Sequence, residues 1–246
     1  MDLGKKGLLY IAPVQMNHQL ALAIHLNYQA TLTDFCWGEN TLLQQQLQRS
    51  LTQNDERFLY LWGDSGCGKS HLLQGACQAM SQNNESAAYI PLTLLKEWGH
   101  ESIEGIEEQA LIAIDDIDAI ATDKTWEEAL FHLYNRIRDN GKTILIISGK
   151  QAPSASAIQL ADLRSRLAWG LVFQINGLSD ELKIITLQQH AHKRGFNLPD
   201  SVALFLINRC ARNMHDLYQI LDRLDEASLE AQRKITIPFV KSTLNI

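Results

Sequence analysis

The sequence predicts an α/β fold in which a parallel five-stranded sheet carries helices on both faces, with a small C-terminal all-α domain after it. Three observations predict this. Five short apolar runs, Phe58 to Trp62, Ala87 to Leu92, Leu111 to Ile114, Thr143 to Ser148 and Leu171 to Ile175, alternate with helix-like stretches, as strands buried on both faces do. A glycine-rich GxxxxGK[ST] loop follows the first run directly and a helical stretch beginning near His71 follows the loop. After Ile175 no sixth apolar run occurs.

The elements follow in order. Residues 1–30 hold few folding signals and read as a flexible tail. From Trp126 to Asp139 the apolar residues Trp126, Ala129, Leu130, Leu133, Tyr134 and Ile137 recur at three- and four-residue intervals, which predicts a helix with one buried face. Asn140-Gly141 tolerates the left-handed conformation and predicts its end. Asn176-Gly177 is a turn signal, and Ser179 followed by Asp180 and Glu181 predicts a helix start with acid in its first turn. Helices are expected at about Asp180 to Arg194, Pro199 to Cys210 and Met214 to Glu230, with a short last one opened by Pro238. The expected domains are therefore the tail 1–30, an α/β nucleotide-binding domain 31–175 and a helical domain 176–246.

The 246 residues carry 22 Lys+Arg against 28 Asp+Glu, a formal charge of -6 that argues against a protein coating nucleic acid phosphates. At 46% hydrophobic and 20% charged residues the composition is globular. No apolar stretch approaches the roughly 20 residues that cross a bilayer, so no membrane partner is expected. Cys36, Cys67, Cys77 and Cys210 form no CxxC pair, which fits reduced thiols better than disulfides or zinc. The N-terminus has no secretory pattern, so a cytoplasmic protein is expected, and Met16 is an alternative start to residues 1–15.

Gly63-Asp64-Ser65-Gly66-Cys67-Gly68-Lys69-Ser70 is the loop motif. Its glycines let backbone N–H groups turn towards phosphate oxygens, and the helix behind adds partial positive charge. Lys69 is expected to neutralise β- and γ-phosphates and the Ser70 hydroxyl to ligate Mg²⁺. Leu111-Ile112-Ala113-Ile114-Asp115-Asp116 is a strand ending in two acids, 46 residues beyond Lys69. Asp115 is expected to hold Mg²⁺ through water and Asp116 to orient an attacking water. Arg164 and Arg166 precede the last strand, where a guanidinium can reach a neighbouring molecule's γ-phosphate.

Four segments resemble the AAA+ domain of the bacterial replication initiator DnaA over about residues 31–246. They are Gly68-Lys69-Ser70-His71-Leu72-Leu73, Ile114-Asp115-Asp116, Ser165-Arg166-Leu167-Ala168-Trp169-Gly170, and Phe35 with Gly38-Glu39-Asn40. The initiator also has a basic helix-turn-helix domain, for which the chain to Ile246 has no room. With Gln232-Arg233-Lys234-Ile235-Thr236-Ile237-Pro238-Phe239-Val240-Lys241, the sequence is similar instead to the regulatory inactivator branch of this family, Hda.

The resemblance implies an AAA+ fold with a lid domain at 176–246, a resting ADP-bound state (or ATP) with Mg²⁺, and His71 and His215 beside the nucleotide. It implies that Arg166, not Arg164, is an arginine finger offered in trans to ATP held by DnaA. Gln19-Leu20-Ala21-Leu22-Ala23-Ile24 resembles the QLxLxx peptide that docks on the DNA polymerase III sliding clamp, with Gln19 as polar anchor and Leu20, Leu22 and Ile24 filling its pocket. DNA is then reached only through the clamp, and a homodimer is left open.

Two positions depart from the family. Lys150 stands where relatives place an acid, and His215 where they place a nucleotide-contacting arginine, for which Arg212 is a geometric alternative. Both departures predict weak or absent ATPase activity of the chain's own. The function implied is negative regulation that prevents reinitiation. The readings beside it are an autonomous ATPase acting as a helicase loader or remodeller, and a structural adaptor with a vestigial loop.

Overall fold

The computed structural model describes residues 30–246 apart from 54 and 212. The clamp-docking residues Gln19, Leu20, Leu22 and Ile24, and Arg212, lie outside the described residues. The chain divides into two compact units.

The first unit runs to Phe35 and takes in Asn40–Gly63 and Lys69–Ile175. Its elements are α1 (Thr41–Gln53), β1 (Phe58–Trp62), α2 (Lys69–Gln82), β2 (Ala87–Pro91), α3 (Leu92–Leu95), β3 (Leu111–Asp115), α4 (Lys124–Asn140), β4 (Ile144–Gly149), α5 (Ala161–Leu167) and β5 (Leu171–Gln174). The strands form one sheet in the order β2-β3-β4-β1-β5, with every pairing parallel. β2, β3 and β4 are buried along their whole length, which is why each reads as an unbroken apolar run.

One apolar core joins Tyr60, Ile112, Ile114, Leu145 and Ile147 of the sheet to Trp126, Leu130, Leu133 and Ile137 of α4 and Leu163 and Leu167 of α5. α2 packs across β2, β3 and β4 and buries Leu72, Leu73, Ala76 and Met80. α4 opens on Asp123, whose carboxylate accepts from Thr125 N and Trp126 N, and ends on Gly141 at φ 62°.

Five strands thus stand where five apolar runs predicted them, with ends shifted by a residue. β3 takes in Asp115 and β4 takes in Gly149, while β2 stops at Pro91 and β5 at Gln174. The helix after the loop starts two residues earlier than His71, so Lys69 and Ser70 occupy its first turn. α1, α3 and α5 add to the expected elements; α3 has four residues and α5 seven, too few to show a period.

The second unit comprises Cys36–Glu39, Asp64–Gly68 and Asn176–Ile246. Its helices are α6 (Asp180–Lys193), α7 (Asp200–Arg209), α8 (Met214–Ala231) and α9 (Ile237–Leu244). They close on a separate core that includes Leu187, Leu206, Leu217, Leu221 and Val240. Ser179, Asn213 and Thr236 each cap the helix they precede, accepting from Leu182 N, Asp216 N and Phe239 N. Arg194 at the end of α6 pairs with Asp222 of α8 at 2.7 Å.

Candidate phosphate-binding site

β1 ends at Trp62 and the chain turns at once into the glycine-rich loop. Gly66 (φ 78°) and Gly68 (φ 105°) adopt backbone that only glycine enters without strain, and this lets successive N–H groups converge. The buried ammonium of Lys69 donates to the carbonyl of Gly63 at 2.7 Å, tying the two ends of the loop together. Cys67 N donates to Asp64 O at 3.3 Å, a turn within the loop. Ser65 is exposed, and so is Ser70 in the first turn of α2.

Parallel pairing brings the acids to the loop's end of the sheet, because β3 and β4 run alongside β1 and end level with it. Asp115 is buried. Its Oδ2 accepts from the phenol of Tyr89 at 2.6 Å, and its Oδ1 accepts from the Ser148 hydroxyl. Ser148 in turn accepts from Asp116 N at 2.9 Å.

Asp116 is held at φ 56°, ψ 60°, a left-handed conformation that costs a non-glycine residue roughly 1–3 kcal/mol. Burial, and then the charge of Asp115, raise the pKa of Asp116 above the ordinary carboxylate value, while Lys69 and Lys150 pull it down. Lys150 N donates to Asp118 at 2.6 Å, which holds its backbone in place.

The structure brings Lys69, Ser70, Asp115 and Asp116 to one end of the sheet. The ring of His71 turns elsewhere. Its Nε2–H donates to Thr31 O at 2.8 Å and its face meets Phe35 at 5.5 Å, so only its backbone is left to the loop. Burial lowers its pKa. His215 is exposed in the first turn of α8 and shares a 2.9 Å hydrogen bond with Gln219. Tyr89 and Ser148 were not read as site residues; the only local sign was a polar group within, or at the end of, an apolar run.

Arg166 lies in the last turn of α5, with its guanidinium 5.0 Å from the ring centre of Trp169. Trp169 is 60% exposed and also receives Arg138 at 5.9 Å. Arg166 lines a small cavity with Phe58, Tyr134 and Gly170, where β1 begins. Arg164 is used internally, donating to Ile158 O at 2.8 Å.

Among the described residues no cluster of three or more His, Cys, Asp or Glu could hold a metal, and no helix is long and apolar enough to cross a membrane. One hydroxyl and one buried carboxylate fit a cation that takes most of its ligands from phosphate and water, as Mg²⁺ does.

Strand order, loop and helical second unit define the class, a P-loop protein of the AAA+ kind with a C-terminal helical lid. The chain belongs to the DnaA-related AAA+ family: residues 26–174 match the model of the bacterial DnaA ATPase domain, and residues 180–244 match that of the Hda lid domain. An uncharacterised protein of Haemophilus influenzae is 46% identical over 94% of this chain and 100% of its own length. Domain III of the Thermotoga maritima initiator DnaA superposes with a TM-score of 0.77 at 21% identity, covering 89% of this chain and 97% of that one. AMPPCP-bound DnaA of Aquifex aeolicus gives 0.67 at 19% identity, covering 84% and 68%.

Proposed function

We propose that this chain is a negative regulator of replication initiation, docked on the DNA-loaded sliding clamp, that supplies Arg166 as an arginine finger to ATP bound by the initiator DnaA. The observation that carries the reading is the placement of Arg166. It sits where β1 begins, whereas the chain's own phosphate loop leaves the far end of that strand. Four residue steps of strand span roughly 13 Å, further than an arginine side chain extends. Arg166 is thus poorly placed for the chain's own nucleotide and, beside an exposed tryptophan, well placed for another molecule's.

The loop is read as holding ADP, or ATP, through Gly63, Asp64, Ser65, Gly66, Cys67, Gly68, Lys69 and Ser70. Among solved relatives, DnaA of Aquifex aeolicus is bound to AMPPCP, which supports a nucleotide here. Mg²⁺ would be held by Ser70 and, through water, by Asp115, and its chemistry is to neutralise charge between the β- and γ-phosphates. Lys150 places positive charge beside Asp116, the residue meant to attract a water proton, and His215 is engaged by Gln219. Both features support weak hydrolysis by the chain itself.

The test is reconstituted hydrolysis of initiator-bound ATP with and without clamp and DNA. Arg166→Ala is expected to lower the stimulated rate by roughly 10³-fold or more while leaving nucleotide binding intact. Gln19→Ala and Leu22→Ala are expected to remove the dependence on clamp. Equal stimulation by Arg166→Ala would sink the reading. Steady turnover by the purified chain alone, abolished in Lys69→Ala, would favour the autonomous ATPase.

A further inference from the structure

Tyr89 is buried on β2, beside β3, in register with Ala113 and two residues before the Pro91 that faces Asp115. Its single hydroxyl proton is committed to Asp115 Oδ2 at 2.6 Å. The side chains of Ser70 and Gln74, in the first two turns of α2, also hydrogen-bond to the phenol. Since the phenol proton is already given away, its oxygen is the acceptor in both, so the Ser70 hydroxyl and the Gln74 amide donate to it. The result is a directed chain, from Ser70 to Tyr89 to Asp115, joining the two side chains expected at the cation.

A serine hydroxyl that binds a cation uses a lone pair and must send its proton elsewhere. Here a neutral phenol accepts a hydrogen bond from the serine hydroxyl and donates its own to the carboxylate, each proton staying on its oxygen. We propose that Tyr89 is a positioning residue of the Mg²⁺ site, holding the Ser70 lone pairs free for the cation and fixing the carboxylate that accepts from a cation-bound water. This rests on the nucleotide-site reading above. A tyrosine that merely filled the core would serve equally with or without its hydroxyl and would be indifferent to Mg²⁺.

The experiment titrates Mg²⁺ into the full chain with fluorescent ADP, for the wild type, Tyr89→Phe and Lys69→Ala, and repeats binding in EDTA. Partners behind metal ligands typically tune metal affinity by about 10- to 100-fold. Tyr89→Phe is therefore expected to raise the Mg²⁺ concentration at half-effect by about tenfold or more, with affinity in EDTA unchanged. An unchanged half-effect overturns the proposal, as does an equal loss of affinity with and without Mg²⁺, the signature of a purely structural role. Undiminished binding by Lys69→Ala would instead sink the nucleotide-site reading. If Tyr89→Phe does not fold, the unaltered chain still decides: the phenolic proton resonance of ring-labelled Tyr89 is expected to shift when Mg²⁺ joins the ADP complex, and a resonance indifferent to Mg²⁺ overturns the proposal.

Discussion

His71 shows how a single ring can report on pH. Burial lowers its pKa below the ordinary 6.5 and outweighs the Thr31 carbonyl that accepts from Nε2–H and the charge of Asp34, both of which pull the other way, so the folded state favours the neutral ring. A depressed histidine pKa contributes stability that is present above the unfolded value and lost as pH falls through the folded one. Urea midpoints should therefore drop between pH 7.5 and 5.5, and the drop should shrink in His71→Gln; an identical drop in the variant would assign it to other groups. The phosphate loop could be read from the sequence because eight contiguous residues encode it. Tyr89 could not, because its contact with Asp115 exists only once β2 and β3 are paired in the observed register. Ser148 was hidden for the same reason, since it meets Asp115 across the β3–β4 pairing.

Among elements, α4 does more than cover the sheet. Its buried Glu127 accepts from Thr122 N at 2.8 Å, from Gln159 N at 3.1 and 3.0 Å and from Leu160 N at 2.7 Å. One carboxylate thus holds the turn before α4 and the backbone that leads into α5, the helix bearing Arg166. Glu127→Ala would strand three backbone donors and is expected to destabilise the fold by about 3–5 kcal/mol, measured by urea unfolding. Glu127→Gln, which keeps an acceptor, should cost less; a loss below about 1 kcal/mol for the alanine variant would mean water replaces the carboxylate. Periodicity found α4 because six apolar residues mark its buried face, but the Glu127 clamp bridges residues more than thirty positions apart. α5 went unread because, of its seven residues, only Leu163 and Leu167 are buried in the core.

For the whole molecule, one apolar core joins the sheet to α4 and α5, and another lies among α6 to α9. The proposed nucleotide should stabilise the folded state by mass action, about 2.7 kcal/mol at a hundredfold excess over its Kd. In a chain of this size that corresponds to roughly 5–10 °C in melting temperature. ADP should raise the Tm of the wild type by that amount and leave Lys69→Ala unmoved; an equal rise in both would place the ligand elsewhere.

The strand order has a consequence for synthesis. β1 lies between β4 and β5, pairing Phe58 with Leu145 and Leu59 with Leu171. A ribosome translating this message therefore extrudes an interior strand of the sheet long before either neighbour exists. While the chain from Phe58 to Leu145 is being made, Phe-Leu-Tyr-Leu-Trp has no native edge to pair with and must be kept from finding a foreign one.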